Sequence, residues 1–266
     1  MPAVSQGLAD WANGFRQPAQ PGWEIVERAH YRLIMQPDFP VPGPNSAAFI
    51  RCRTEEADGV ISEVTGLFDG RALPFMWVLD PGTEPPDFAD FLTARGFVPD
   101  PHGVESAVMV LPTPSRFEAD AVPGLELRNG LADLATFRDV DSVNAEAFAG
   151  RVVSYDVAHL AQLERRLRHQ KEVPGRHVLL ATVDGEAAGS AGLTVYSPDG
   201  AILNGGAVRP KFRGRGVYRA MVAARIEIAR QAGVPGLSVW GGPMSAPILQ
   251  RLGFQKVGWR RFYMRP

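Results

Sequence analysis

Two spacings of apolar residues divide the second half of the chain into elements. Leu125 and Leu127 alternate with a charged residue and predict a short strand. Leu131, Leu134 and Phe137 stand at helical spacing, and that pattern runs on toward Phe148. Leu160, Leu163 and Leu167 mark a second helix, stopped by Pro174-Gly175. Residues 178–183 predict a strand, Asp184-Gly185 a hairpin turn, and residues 187–196 the partner strand. Pro198-Asp199-Gly200 turns the chain into a further strand over 201–208. A long helix follows, with Val217, Met221, Ala224 and Ile228 on one face and Gly233 as its stop. Residues 237–240 predict a strand, 247–252 a short helix, and the chain from Phe254 a closing strand or hairpin. Strands joined mainly by hairpins, with a few helices, predict an α+β fold. Its sheet is mixed, mostly antiparallel and flanked by helices.

The first half ends in a similar order. Residues 75–78 predict a strand, and Phe88, Phe91 and Leu92 a short helix. A leucine lies four residues before Gly96-Phe97, and Leu249 stands in the same relation to Gly253-Phe254. Strand, short helix, Gly-Phe and strand recur in that order, which favours an internal repeat. Between the halves, Pro112, Pro114, Pro123 and Gly124 exclude helix and central strand and read as a linker. The expected organisation is a domain over 1–112, a linker over 113–124 and a domain over 125–266.

With 266 residues, each half is long enough to bury a core. No apolar run approaches the roughly 18 residues of a membrane span, and no secretory leader is visible. Cys52 is the sole cysteine, so there is no internal disulfide. His30, His102, His159, His169 and His177 show no metal-ligand spacing. A cytoplasmic protein without a metal, membrane or nucleic-acid partner is the expectation. Charge is uneven: residues 1–123 hold 8 arginines, no lysine and 17 carboxylates, while the remainder holds 20 basic and 12 acidic residues. These are either two solvated faces of opposite sign or, equally, a sign that only the second half suits an anionic ligand and that the halves attract each other. Arg165, Arg166 and Arg168 read as a solvated helix face.

Chemistry concentrates in residues 208–219. A strand ends at Val208 and a helix starts near Val217. Between them lie Gly214, Gly216 and four basic residues, Arg209, Lys211, Arg213 and Arg215, with Arg219 a fifth. Backbone amides at such a bend, the helix start behind it and the arginines together favour phosphate. Basic residues in a first helical turn oppose the helix dipole, so their presence there calls for an anion. The nucleoside triphosphate loop, Gly-x-x-x-x-Gly-Lys-Ser/Thr, is absent. The dinucleotide fingerprint fails at Arg219, where a third glycine is required.

The run resembles the acyl-CoA diphosphate loop of the GNAT acyltransferase superfamily, Gln/Arg-x-x-Gly-x-Gly/Ala, set between a strand and a long helix. Arg213, Gly214, Arg215 and Gly216 match it, as do the preceding Val208-x-Pro210 and the Leu252-Gly253-Phe254 ending. The likeness covers about residues 125–266. It departs at the last Gly/Ala position, which is Tyr218; a bulky side chain there is expected to turn away and leave its N–H to the phosphate. The resemblance implies that Arg213, Gly214, Arg215, Gly216, Val217, Tyr218 and Arg219 bind acetyl-CoA. It implies a backbone amide near Ala207 or Val208 for the thioester carbonyl, and direct transfer of the acetyl group to an amine of a small molecule or peptide. The first half resembles the same fold in degenerate form. Its long-helix candidate carries Val60, Val64, Leu67 and Phe68, and the turn before it holds Glu55, Glu56 and Asp58, which would repel a diphosphate. Two GNAT-like domains, the first without a CoA loop, are therefore expected.

Family members often place a tyrosine four residues before the glycine of Gly-Phe to serve the leaving thiolate; here Leu249 stands there. Ser245, one turn earlier, is the candidate donor, and equally a candidate N-cap for the short helix. Phe148, Tyr155 and Trp240 fall where the family borders its acceptor, and equally suit core positions. Asn204 is the polar member of the strand before the loop. A CoA-binding sensor without turnover, and a nucleotide-binding module, stay open as other classes.

Overall fold

In the computed structural model, the described residues are 3–101, 103–113 and 119–266. Residues 114–118 of the anticipated linker, and His102, lie outside them. The first half gives α1 (Gln6–Gly14), β1 (Glu24–Glu27), β2 (Arg32–Met35), β3 (Ser46–Ala48), α2 (Ala57–Asp69), β4 (Met76–Leu79), α3 (Phe88–Ala94), β5 (Val98–Pro99) and β6 (Glu105–Pro112). The second gives β7 (Leu125–Asn129), α4 (Leu134–Ala149), α5 (Val157–Glu172), β8 (Arg176–Val183), β9 (Glu186–Tyr196), β10 (Gly200–Val208), α6 (Val217–Gln231), β11 (Gly236–Gly241), α7 (Ala246–Arg251) and β12 (Gln255–Met264). Every element read from the second half is present within a few residues of its expected bounds. Asp133 and Asp156 cap α4 and α5, each accepting an N–H three residues on at 2.8 Å.

The chain forms two compact units that are not contiguous halves. The first unit is Ala12–Met109 with Trp240–Pro266; the second is Val110–Val239 with the chain up to Trp11. The cuts fall inside α1, β6 and β11. Residues read as the closing part of the second half thus pack with the first. Strand β6 ends at Pro112, the last residue before the stretch read as linker, where a missing N–H costs least.

In the first unit β1, β2 and β3 are antiparallel, β3 and β4 run parallel with α2 as the crossover, and β12 pairs antiparallel with β4. The register Ser46↔Met76 through Ala48↔Val78 fixes the crossover. Trp77 is fully buried among Phe75, Phe88 and Phe97, at ring distances of 5.6, 5.6 and 5.9 Å. Tyr263 of β12 belongs to the same core.

The second unit repeats the plan. Strands β7, β8, β9 and β10 are antiparallel, and β10 runs parallel to β11 with α6 as the crossover. On one face α4 and α5 bury Phe137, Val140, Val143, Leu163 and Leu167 with Val178, Leu180 and Ala207. On the other, α6 buries Val217 and Met221 with Ala181, Val183, Ala188 and Ala191. The repeat read from the two Gly-Phe pairs has a hydrogen-bonded basis. Phe97 N–H donates to Leu92 O and Phe254 N–H to Leu249 O, each at 3.0 Å, while Gly96 and Gly253 donate one turn back, also at 3.0 Å. Both are the same glycine helix stop followed by a buried phenylalanine.

Trp77→Ala empties the centre of the first unit's core, and a loss of about 3–5 kcal/mol is expected. Urea unfolding followed by Phe and Trp fluorescence checks it.

Candidate functional site

The bend between β10 and α6 starts as one 3₁₀ turn, Pro210–Phe212, whose closing bonds run from Phe212 N–H to Arg209 O and from Arg213 N–H to Pro210 O. Gly214 and Gly216 follow with φ of 76° and 87°, the left-handed region where a side chain is strained. Gly216 is the residue before α6, and no side chain caps the helix. The amides of Gly214, Arg215, Gly216 and Val217 therefore have no acceptor among the described residues. Four successive donors at the positive end of a 15-residue helix are chemically suited to an anion.

The basic residues around the bend divide into two groups. Arg209 bonds Ser142 Oγ at 2.8 Å and pairs with Glu146 at 3.2 Å, both on α4. Lys211 pairs with Glu186, and Arg219 stands 3.4 Å from Asp120. Arg213 and Arg215 face no carboxylate among the described residues. Arg213 Nε donates to Val208 O at 3.2 Å, and Arg215 lies over the buried Phe212 ring at 5.4 Å. These two cations flank the open amides and are exposed.

The sheet opens beside the bend. Strands β10 and β11 pair only at Ala201↔Leu237 and Ile202↔Ser238, so β11 leaves the rest of β10 unpaired on that side. Arg209 N–H donates to Ala188 O on β9, and strand alternation then turns the Val208 and Gly206 amides away from β9, toward the open edge. Ala207, expected as an equivalent donor, points its amide at β9 by the same alternation. A bulge at Gly205, with φ of 60°, interrupts the β9–β10 register between Asn204 and Gly206.

A buried arginine that sequence reasoning missed holds this bulge. Arg225 of α6 is 1% exposed. Its Nη1 donates to Gly205 O at 2.9 Å and to Gly192 O at 3.0 Å, and its Nε to Met221 O at 3.0 Å. Burial lowers its pKa to about 10, opposed by the Tyr218 phenol, first through its charge and then as an acceptor of a hydrogen bond from the guanidinium. The Tyr218 ring lies against Gly206, where a Cβ would come within 2.9 Å of it. Tyr218 thus turns its side chain away from the bend, toward β10, as its place in the loop motif predicts. The signal was a single basic residue on the apolar face of α6, spaced four from Met221.

The first unit offers the same place with the opposite filling. Before α2, Glu56 accepts the Arg53 N–H at 2.9 Å and the Arg53 guanidinium at 2.8 Å. Those bonds, side chain first, lower the Glu56 pKa to about 2. The carboxylate is the helix start's own anion.

The remaining candidates are dispersed. Phe148 is 59% exposed at the end of α4. The Tyr155 hydroxyl lies 3.0 Å from Arg138 O and 3.2 Å from Asp141 Oδ2, and its ring stacks on His159 at 4.9 Å. Burial first, then the Asp141 charge, push the Tyr155 phenol well above its ordinary range. Arg166 is not solvated as read: it bonds Asp141 Oδ1 at 2.8 Å and joins α5 to α4. Trp240 and Ser245 belong to the first unit. Trp240 is 47% exposed, with Arg260 over its ring at 5.3 Å. Ser245 precedes α7 without capping it; its Oγ donates weakly to Gly242 O at 3.4 Å. Among the described residues no group of three His, Cys, Asp or Glu side chains can hold a metal ion. No helix of the described residues is long and apolar enough to cross a membrane.

Residues 144–254 match the model of the acetyltransferase (GNAT) family. No curated protein matches the chain in sequence. Among solved structures, a GCN5-related N-acetyltransferase from Kribbella flavida superposes with a TM-score of 0.62 at 13% identity, covering 92% of this chain and 90% of that one. A functionally unknown conserved protein from Staphylococcus epidermidis ATCC 12228 gives 0.64 at 12% identity, over 93% and 95%. A tandem GNAT protein from the clavulanic acid biosynthesis pathway gives 0.58 at 16% identity, over 92% and 83%. At these identities the likeness is one of fold, and the fold is α+β with two GNAT-like domains.

Two outcomes follow from this geometry. Tyr218→Phe removes one partner of a buried guanidinium and is expected to cost about 1–3 kcal/mol in urea unfolding. Glu56 is expected to titrate near pH 2 in a carboxyl NMR titration. Because its folded pKa lies below the ordinary ~4.3, its stabilising contribution is full above that value and is lost as pH falls through about 2. Arg53→Gln, which removes the guanidinium and keeps the backbone bond, should raise that titration toward the ordinary range.

Proposed function

We propose that this chain, whose residues 144–254 form a domain of the GNAT acetyltransferase family, is an N-acetyltransferase that moves an acetyl group from acetyl-CoA directly to an amine of a small molecule or peptide. The observation that carries this reading is the run of four amides at Gly214–Val217 without an acceptor among the described residues, flanked by two arginines with no carboxylate partner among them. A diphosphate meets both requirements of that place: oxygens for the amides and negative charge for Arg213 and Arg215. The donor set is complementary to a phosphate and carries no metal-binding chemistry.

The residues have separate tasks in this reading. Gly214, Arg215, Gly216 and Val217 supply amides to the diphosphate. Tyr218 adds its amide while its side chain stays on β10. Arg213, Arg215 and Arg219 supply charge, Arg219 sharing its own with Asp120. The unpaired edge of β10 accepts the pantetheine arm, and the outward amide of Val208, with that of Gly206, supports the carbonyl oxygen of the thioester. Acetyl-CoA supplies the acyl group as a thioester: the amine nitrogen forms the new bond to the acyl carbon, the carbon–sulfur bond breaks, the amine loses a proton and the thiolate gains one. Phe148 and Tyr155 are candidate acceptor contacts. Holding the two substrates in register supplies much of the rate. The first unit is read as binding no CoA, because Glu55, Glu56 and Asp58 stand where a diphosphate would lie and would repel it.

Acetyl-CoA is expected to raise the melting temperature, and NAD and ATP to leave it unchanged. Free thiol release over an amine panel should separate turnover from binding alone. Gly214→Val and Gly216→Val should each weaken acetyl-CoA binding by more than about tenfold. Glu55→Gln and Glu56→Gln should leave it nearly unchanged. Retained affinity in both glycine variants would remove the loop assignment, and a large loss in the glutamine variants would move the site to the first unit.

A further inference from the structure

The second unit holds another arginine whose charge the fold does not neutralise. Arg176 opens β8. Its Nε donates to Gln170 Oε1 at 2.8 Å, and its Nη1 to Asn204 Oδ1 at 2.6 Å and Thr194 Oγ1 at 3.1 Å. Thr194 is fully buried, and its hydroxyl in turn donates to Asn204 Oδ1 at 2.7 Å. The guanidinium occupies space left by Gly192, where a Cβ would lie 3.0 Å from both Nη1 and Nη2. All three partners are neutral. Among the described residues no carboxylate pairs with Arg176, and Nη2 donates to none of them. Arg176 is partly exposed as a residue while its guanidinium is largely buried, and Nη2 is the end of the fork left without a partner among the described residues.

Its charge is felt nearby. Burial lowers the Arg176 pKa to about 10, and the one charge that opposes this is that of the Tyr196 phenol, which carries none until it deprotonates. Burial, then the Arg176 charge, lower the pKa of His177, and the same charge acts on Arg225. An arginine stays charged at any physiological pH. Neutral acceptors orient it without cancelling its charge, and a partly desolvated cation gains most from an anion. Asn204, which holds it, stands on β10 beyond Ile202, along the stretch that β11 leaves unpaired.

We propose that Arg176 recognises an anionic group, a carboxylate or a phosphate, on the amine acceptor. This deepens the acetyltransferase reading and rests on it: the acceptor is an amine that carries a negative charge, and Gln170, Thr194 and Asn204 present the fork to it. An acceptor without that group forgoes the charge-assisted bonds.

The test uses the full chain, labelled with nitrogen-15, with and without CoA. Two matched pairs of probes are titrated: β-alanine against β-alaninamide for the carboxylate arm, and phosphoethanolamine against ethanolamine for the phosphate arm. The Arg176 Nε–H resonance is assigned by its loss in Arg176→Gln. The anionic member of at least one pair should bind at least about tenfold more tightly than its neutral mate and shift that resonance. Arg176→Gln should abolish the preference. Arg176→Lys, which keeps the charge and loses the fork, should reduce it and serves where the glutamine variant does not fold. Equal binding within both pairs, an unmoved resonance, or an unchanged preference in the variants would overturn the proposal. Failure of acetyl-CoA to bind would instead overturn the acetyltransferase reading, since the anion preference is read without CoA as well.

Discussion

A parallel strand pair needs a crossover, and the crossover helix necessarily begins with amides that nothing in the helix can bond. Both units of this protein are built on that constraint. What occupies the helix start decides what each unit can do. In the first unit Glu56 bonds back to Arg53 and supplies the missing anion from within the chain. In the second, two glycines with positive φ spread the bend, and among the described residues no side chain caps α6 and no carboxylate pairs with Arg213 or Arg215. The same backbone plan gives one helix start that carries a carboxylate paired within the chain and one that carries two arginines.

The open start is mechanically tied to the strand before it. Arg225 is costly to bury, and its bonds to Gly205, Gly192 and Met221 are what make the burial tolerable. Those bonds fix the bulge in β10. Through Tyr218 the same guanidinium reaches the first turn of α6, and the Tyr218 ring rests on Gly206. The departure from a small residue at position 218 is thus compensated by the absence of a side chain at 206. Bend and bulge are held by one buried charge, so the position of the amides in one is linked to the position of the edge in the other.

Much of this was legible in the sequence because the signals were local. Hairpin turns, the alternation of β8 and β9 and the glycine bend after Val208 are all set by residues close in the chain. So was the pair of Gly-Phe stops, whose hydrogen bonds span only five residues. The rest depends on partners far apart. Asp141 and Arg166 meet across 25 residues, and Arg176 meets Asn204 across 28, so no spacing rule exposes either. Arg166 read as solvated because its helix face is polar, yet that polarity is what docks α5 on α4. The early strands β1 to β3 were missed because they have only 3 or 4 residues each, too few to show a period. The caps Asp133 and Asp156 were visible and needed only the question of what ends each helix.

The charge asymmetry along the chain also changes meaning once the units are known. Counted by halves, acid lies first and base second. Residues 240–266 contain five basic residues and no acidic one, and they belong to the first unit. There Lys256 and Arg261 pair with Glu105 at 3.3 and 3.2 Å, and Arg265 bonds Asp69 at 2.8 Å. Exposed pairs of this kind contribute little stability each. Their effect is on the field: base carried in by the last strand offsets acid within one unit. The second unit loses that charge and keeps its positive potential where geometry concentrates it, at the bend before α6 and around Arg176 and Arg225.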